Sequence, residues 1–120
     1  MNRLQIDILK HGDLVEFVCS GDMDYENTLA LGQRVEEEMK TEPSLDNVLI
    51  DVSRAQVKVN MMERFRLGEY VAKNLPHLKI ATIARAGDIN KMVEDTAVNR
   101  GASMYVTDDR EDAVTWLREG

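Results

Sequence analysis

Polar side chains that could hold an anion flank two points of the sequence where a strand pattern gives way to a helix pattern, the segments 53 to 60 and 85 to 88. Guanidinium, ammonium and amide groups donate hydrogen bonds, and a helix N-terminus adds unpaired N–H groups. With two adjacent methionines, these segments supply the candidate binding residues, which we call the rim: Arg54, Lys58, Asn60, Met61, Met62, Glu63, Arg85 and Asp88. A simpler interpretation is that Asn60 and Asp88 only cap helices and that the arginines are solvated.

Five strands must position the rim. Alternation of apolar and polar residues predicts strands from Leu4 and from Leu14, and the Gly12-Asp13 pair between them suits the tight turn of a hairpin. The near-continuous apolar run NVLIDV, 47 to 52, is typical of a strand buried on both faces in a parallel sheet. Further strands are predicted from Leu78 and from Ser103.

About four helices are predicted between and after these strands. Their expected N-caps are, in chain order, Asp24, Asn60, Asp88 and Asp108 or Asp109. In the second helix, from about 60 to 74, the spacing predicts an inward apolar stripe of Met61, Phe65, Gly68, Ala72 and Leu75. The order of elements predicts a single α/β domain over residues 1–120, with a mixed, mostly parallel five-stranded sheet and an antiparallel N-terminal hairpin. The carboxyl ends of parallel strands meet at one edge, which would bring the two rim segments together.

The remaining chemistry-bearing residues indicate no catalytic or metal site. Neither His11 nor His77 lies within metal-ligand spacing of another histidine or of the single cysteine, Cys19. The neighbours of Cys19, EFVCSG, indicate a buried strand thiol. No serine has a GxSxG context and no glycine-rich loop could cradle a phosphate. We therefore expect no cofactor, no metal and no enzymatic activity, although a carboxylate such as Glu63 or Glu69 could still act in a cleft.

The composition disfavours several classes of binding partner. A net charge of −7 disfavours nucleic acid and anionic lipid, which bind mainly to clustered Lys and Arg. The apolar runs are too short to span a bilayer, so we expect a cytoplasmic protein without stable membrane insertion. The adjacent methionines Met61 and Met62 favour an adaptable apolar surface, unless one packs in the core and the other covers a strand.

The layout resembles the STAS domain of bacterial anti-sigma-factor antagonists. The resemblance is carried by GDMD at 21 to 24, which matches a GELD-like turn, and by DVSRAQVKVNMM at 51 to 62, which aligns without a gap to a DLSGVTFMDSSG-like segment. In that alignment Asn60 and Met61 stand where the family has two serines, the second of which accepts the regulatory phosphate. The resemblance therefore implies a STAS-like regulator without the usual phosphoacceptor.

The chain is more similar to STAS-like families of uncharacterised bacterial proteins, which are also compared with the CRAL-TRIO fold. This likeness rests on ERFRLGEYVAKN at 63 to 74, INKMVEDTAVNRGASMYVTDD at 89 to 109 and EDAVTWL at 111 to 117. Our leading hypothesis is a regulatory module that binds a protein partner through the rim. The alternative is a carrier or sensor of a small apolar or amphipathic ligand between the sheet and the second and third helices, with Arg64 or Arg85 near its acidic head. An exposed edge strand of the hairpin would also be compatible with a homodimer.

Overall fold

Strands and helices alternate along the computed structural model, which describes residues 3–119. The strands are β1 (Gln5–His11), β2 (Leu14–Asp24), β3 (Asn47–Lys58), β4 (Lys79–Ile83) and β5 (Ser103–Thr107). The helices are α1 (Tyr25–Lys40), α2 (Met61–Asn74), α3 (Met92–Asn99) and α4 (Arg110–Arg118), and a 3-10 turn covers Ala86–Asp88. The sheet order is β1-β2-β3-β4-β5, with β1 antiparallel to β2 and the other pairs parallel. The predicted α/β architecture is confirmed.

The helices cover the two faces of the sheet unequally. Right-handed crossovers between consecutive parallel neighbours place α1, α2 and α3 on one face. The larger core lies there and includes Phe17, Cys19, Val35, Val48 and Ile80. On the other face α4 packs alone over β3, β4 and β5, with a smaller core of Leu14, Leu49, Ala81, Ile83, Ala113 and Leu117.

Two glycines let the helices approach one another closely. A Cβ on Gly68 would lie 2.6 Å from Thr96 Cβ and 2.8 Å from Val93 O, so α2 and α3 could not pack at this distance with a larger residue. A Cβ on Gly32 would lie 2.7 Å from Cε1 of Tyr70, across the contact between α1 and α2.

Three of the four predicted helix starts are confirmed. The Asp24 side chain accepts from Asn27 N at 2.8 Å, Asp109 accepts from Glu111 N at 2.9 Å, and Asn60 precedes α2. The prediction that Asp88 caps α3 is wrong. Asp88 closes the 3-10 turn by donating its N–H to Arg85 O at 2.8 Å, and α3 begins only at Met92.

The segment from Ser53 to Lys58, predicted as the connection where a strand pattern gives way to a helix pattern, is itself part of a strand. β3 continues to Lys58 and pairs with β2 as far as Asp24, whereas its pairing with β4 ends at Asp51. The sequence carries the signal, because Ala55, Val57 and Val59 alternate with polar residues. A register shift interrupts the pairing: Val18 pairs with Asp51 and Ser20 with Arg54, so two residues of β3, Val52 and Ser53, lie opposite one residue of β2, Cys19. Such a bulge adds one residue to one strand.

Candidate functional site

Arg85 connects the segment after β4 to the extended half of β3. Its Nη2 donates to Ala55 O at 2.6 Å, and its Nε donates to Asp88 Oδ2 at 3.2 Å. The guanidinium thus occupies a hydrogen-bonding position beside β3 that no strand fills, because β4 has already ended at Ile83.

The first turn of α2 contacts the same segment. Arg64 Nη1 donates to Asp88 O at 3.4 Å, and Asn90 Nδ2 lies 3.8 Å from Met61 Sδ. The two rim segments therefore meet, as parallel α/β topology predicts. They meet through hydrogen bonds within the chain, with Arg85, Asp88 and Met61 at the contact.

Asn60 and Glu63 cap the N-terminus of α2. Asn60 Oδ1 accepts from Glu63 N at 2.8 Å, and Glu63 Oε1 accepts from Asn60 N at 2.9 Å. This reciprocal pair is a capping box, which satisfies two backbone N–H groups at the helix N-terminus. Both side chains fix where α2 begins and so how its first residues are presented.

The other two basic rim residues lie on β3, away from the contact between the two segments. Lys58 Nζ is 3.3 Å from Asp22 Oδ1 on β2, and Arg54 is exposed at the position paired with Ser20. Positive charge is thus spread along β3 and the β4–α3 connection. The arrangement does not focus the basic groups on one point, as an anion site would require.

Met61 and Met62 are the exposed apolar part of the rim. Their exposed fractions are 55% and 60%, which makes them the most exposed of the large apolar residues described. Met61 was predicted to lie on the inward stripe of α2, but the buried residues of this helix are Leu67 and Gly68. Neither methionine packs in the core, since both are exposed in the first turn of α2.

An apolar cavity lies behind the rim, between the sheet and helices α1, α2 and α3. Its volume is about 150 Å³. The apolar side chains of its lining come from the sheet, the three helices and their connections, and include Leu31, Val35, Ile50, Val52, Val57, Val59, Leu67, Val71, Leu75, Ile80, Ile89, Val93, Met104 and Val106. Arg64 also lines it, whereas Arg85 does not.

Thr82 differs from the other polar residues of this lining, such as Thr28, Tyr70 and Glu94. Within residues 3–119, its Oγ1 is the one buried side-chain oxygen or nitrogen without a hydrogen-bond partner. A buried hydroxyl without a partner costs about 1–3 kcal/mol. The cavity therefore combines apolar walls with one unsatisfied polar atom.

A buried charge cluster on the α4 face escaped sequence reasoning. Glu16 is 1% exposed, and its carboxylate accepts hydrogen bonds from both Nη atoms of Arg110. His11 Nε2 lies 2.8 Å from Oε1 of the same carboxylate. Arg110 Nη2 also lies 3.3 Å from Asp51 Oδ2. The hydrogen bond to Glu16 raises the pKa of Arg110 further above its usual value, despite partial burial. The available signal was Glu16 itself, a carboxylate in the apolar run LVEFV.

No protein-family model matches the chain, and no curated protein is significantly similar to it. Solved structures of other proteins are similar to this chain. An anti-sigma factor antagonist from Mycobacterium paratuberculosis superposes with a TM-score of 0.65 at 18% identity, covering 98% of this chain and 96% of that one. The chain has a STAS-like fold.

Two further structures support the same fold. An uncharacterized Shewanella loihica PV-4 protein, described as having a SpoIIAA-like fold, gives a TM-score of 0.54 at 18% identity, with 98% and 95% of the two chains covered. The anti-sigma factor antagonist SpoIIAA in its unphosphorylated form gives 0.56 at 9% identity, with 98% and 100% covered. In the STAS-like fold of this chain, none of the helices described is long and apolar enough to cross a bilayer.

Proposed function

We propose that this chain is a non-enzymatic regulatory module that binds a protein partner through the rim. The observation that carries the proposal is the exposure of Met61 and Met62 side by side at the start of α2. Flexible thioethers adapt to the shape of a partner, and exposed apolar side chains that adjoin one another mark interaction surfaces. Two of the similar structures are named anti-sigma factor antagonists, which supports a regulatory role.

Partner binding here would not be switched by phosphate at the usual position. In the alignment of residues 51 to 62 with the antagonists, Met61 takes the place of the phosphoacceptor serine. A thioether has no hydroxyl to accept a phosphoryl group. The rim would instead present its apolar surface permanently, at a helix start positioned by the Asn60–Glu63 capping box.

The test compares charge substitutions inside and outside the rim. Tagged chains carrying Met61→Asp or Met62→Asp are used for pull-downs from native extract, with Val98→Asp as control because Val98 is exposed to 46% on α3. A protein retained by wild type and Val98→Asp but lost with both methionine variants, at unchanged melting temperature, supports the rim. The same retained proteins for all four chains would refute it.

A second candidate function, a carrier or sensor of a small apolar ligand, is supported by the cavity. An apolar cavity of roughly 150 Å³ in another protein stays dry and takes up benzene, so this volume suits a ligand of about that size. The free Thr82 hydroxyl fits a ligand with one polar atom, and Arg64 in the lining suits an acidic group.

Thr82→Val separates ligand binding from packing. Valine keeps the shape and removes the unpaired hydroxyl, so the ligand-free variant should be more stable by about 1 kcal/mol. Wild type freshly purified should show added mass in native mass spectrometry that disappears on denaturation, and Thr82→Val should retain less of it. A wild-type spectrum without added mass, together with no thermal shift by hexanoate or phenol, would rule out this candidate.

A further inference from the structure

The sheet has two edges, and the β5 edge is already blocked by side chains. Val106 N donates to Glu94 Oε1 at 2.6 Å, and Val106 O accepts from Lys91 Nζ at 3.0 Å. Lys91 and Glu94 also form an ion pair at 3.1 Å. Together the two side chains take the place of one residue of an added strand. Another chain could not pair with β5 without displacing them.

The β1 edge has no such cover. Among the hydrogen bonds of residues 3–119, none joins a side chain to the backbone of β1. The pairing of His11 with Leu14 across a two-residue turn makes this a hydrogen-bonded pair, and pairs alternate along an antiparallel ladder. Ile6, Ile8 and Lys10 therefore direct their N–H and C=O groups outward, away from β2.

We infer that β1 is a pairing surface for a second copy of this chain, antiparallel to its own β1, with the two-fold axis at Leu9. In this register the outward backbone groups of Ile8 face those of Lys10 in the second copy. The choice of partner rests on self-complementarity, since a strand that pairs with itself must match its own sequence reversed.

The side chains on the α4 face of β1 fit that register. Leu9 is exposed to 45% and would contact Leu9 of the second copy. Asp7 would lie opposite His11 of the second copy, and both side chains are exposed in one chain alone. An acidic group opposite an imidazole favours pairing. The contact shares no residue with the rim, so its test is independent of the test of the proposed function.

Net charge opposes this association at long range. Each copy carries −7 at pH 7, so two copies repel one another until salt screens the repulsion. The dimer should therefore become tighter as sodium chloride rises from about 20 to 300 mM, a range over which the Debye length falls severalfold. A contact dominated by ion pairs would show the opposite dependence.

Two variants at one position test the backbone pairing. Lys10→Ala removes the side chain, including its ion pair with Glu42, but keeps the outward N–H. Lys10→Pro removes the N–H as well, on the side of an edge strand where proline is tolerated. Sedimentation velocity over a concentration series should show a monomer–dimer equilibrium for wild type and Lys10→Ala, and monomer for Lys10→Pro. Monomer for all three chains, or a dimer that survives in Lys10→Pro, would overturn the inference.

A cysteine at the two-fold axis tests the register. The Leu9 pair would be a non-hydrogen-bonded pair with Cα atoms about 4.5 Å apart, within the range that a disulfide spans. Leu9→Cys should form a covalent dimer on mild oxidation, at least tenfold faster than Ser103→Cys on the blocked β5 edge. The native Cys19 does not interfere, because it is completely buried. Equal rates for the two variants would contradict the register.

Discussion

Arg85 Nη2 lies 2.6 Å from the carbonyl oxygen of Ala55 and links the connection after β4 to the unpaired side of β3. Because β4 ends before this point, the link replaces a strand–strand hydrogen bond with a side-chain one. The position of the rim therefore depends on a residue outside the segment that carries the methionines.

Arg85→Ala should lower the free energy of unfolding by about 1 kcal/mol, because Ala55 O loses a charged hydrogen-bond donor. The loss stays this small because the arginine is half-exposed, so water can replace it as the donor. Urea denaturation followed by circular dichroism measures the change. Arg66→Ala, at an exposed position of α2, is the control and should stay within about 0.5 kcal/mol of wild type. Equal effects would show that the Arg85 link adds nothing.

Arg110→Met should destabilise the protein by about 2 kcal/mol. The substitution leaves the Glu16 carboxylate buried without its cation. Such a change costs about 3–5 kcal/mol when both partners are buried, and we expect a smaller cost here because the arginine side chain is half-exposed. The double variant Glu16→Leu with Arg110→Met should recover most of the loss. Arg118→Met removes a surface ion pair with Asp13 and should cost less than about 0.5 kcal/mol.

Gly68→Ala should destabilise by about 1–2 kcal/mol, since the new Cβ would overlap Thr96 and overpacking outweighs the gain in helix propensity. Gly87→Ala supplies the comparison, because nothing lies within 4 Å of its added Cβ. Chemical denaturation of both variants should show a lower midpoint for the first and an unchanged midpoint for the second. A neutral Gly68→Ala would mean that α2 and α3 separate easily.

Cys19 should be inert in the folded protein. Burial, and then the charge of Asp51, raise the pKa of its thiol to about 12. A thiol reagent at pH 8 should modify it only at the rate of unfolding, which Gly68→Ala accelerates. Rapid labelling of folded wild type would contradict the burial.

The same raised pKa makes stability depend on pH. Between pH 9 and about 12 the unfolded chain releases the thiol proton and the folded chain keeps it, so unfolding becomes more favourable as pH rises. The stability advantage of wild type over Cys19→Ala should shrink in this window, by at most about 1.4 kcal/mol per pH unit. A constant difference up to pH 11 would argue against the shift.

The elements whose structure depends on residues close together in the chain could be predicted from the sequence. The hairpin follows from alternation around Gly12-Asp13, and the caps Asp24, Asn60 and Asp109 are decided within one helical turn. The parallel order of the sheet follows from the succession of strands and helices.

The rest depends on contacts distant in the sequence. Asp88 resembles a cap, but Arg85 holds it in a 3-10 turn that delays α3 to Met92. Glu16 and Arg110 are 94 residues apart, and no local pattern relates them. The cavity exists because side chains from three helices and the sheet fail to fill a volume together. Whether the rim binds a partner stays a prediction.

The register shift between Asp51 and Arg54 has a consequence for changes in chain length. Before the shift, even-numbered residues Ile50 and Val52 line the cavity, and after it the odd-numbered Val57 and Val59 do so. A deletion of one residue at 53 would remove the extra residue and leave Val57 and Val59 facing the cavity, whereas a deletion at 55, beyond the shift, would exchange the two faces of the segment that follows. Lysine and glutamine would then point into the apolar interior and valines into water, so the strand can lose a residue at the bulge far more readily than beyond it.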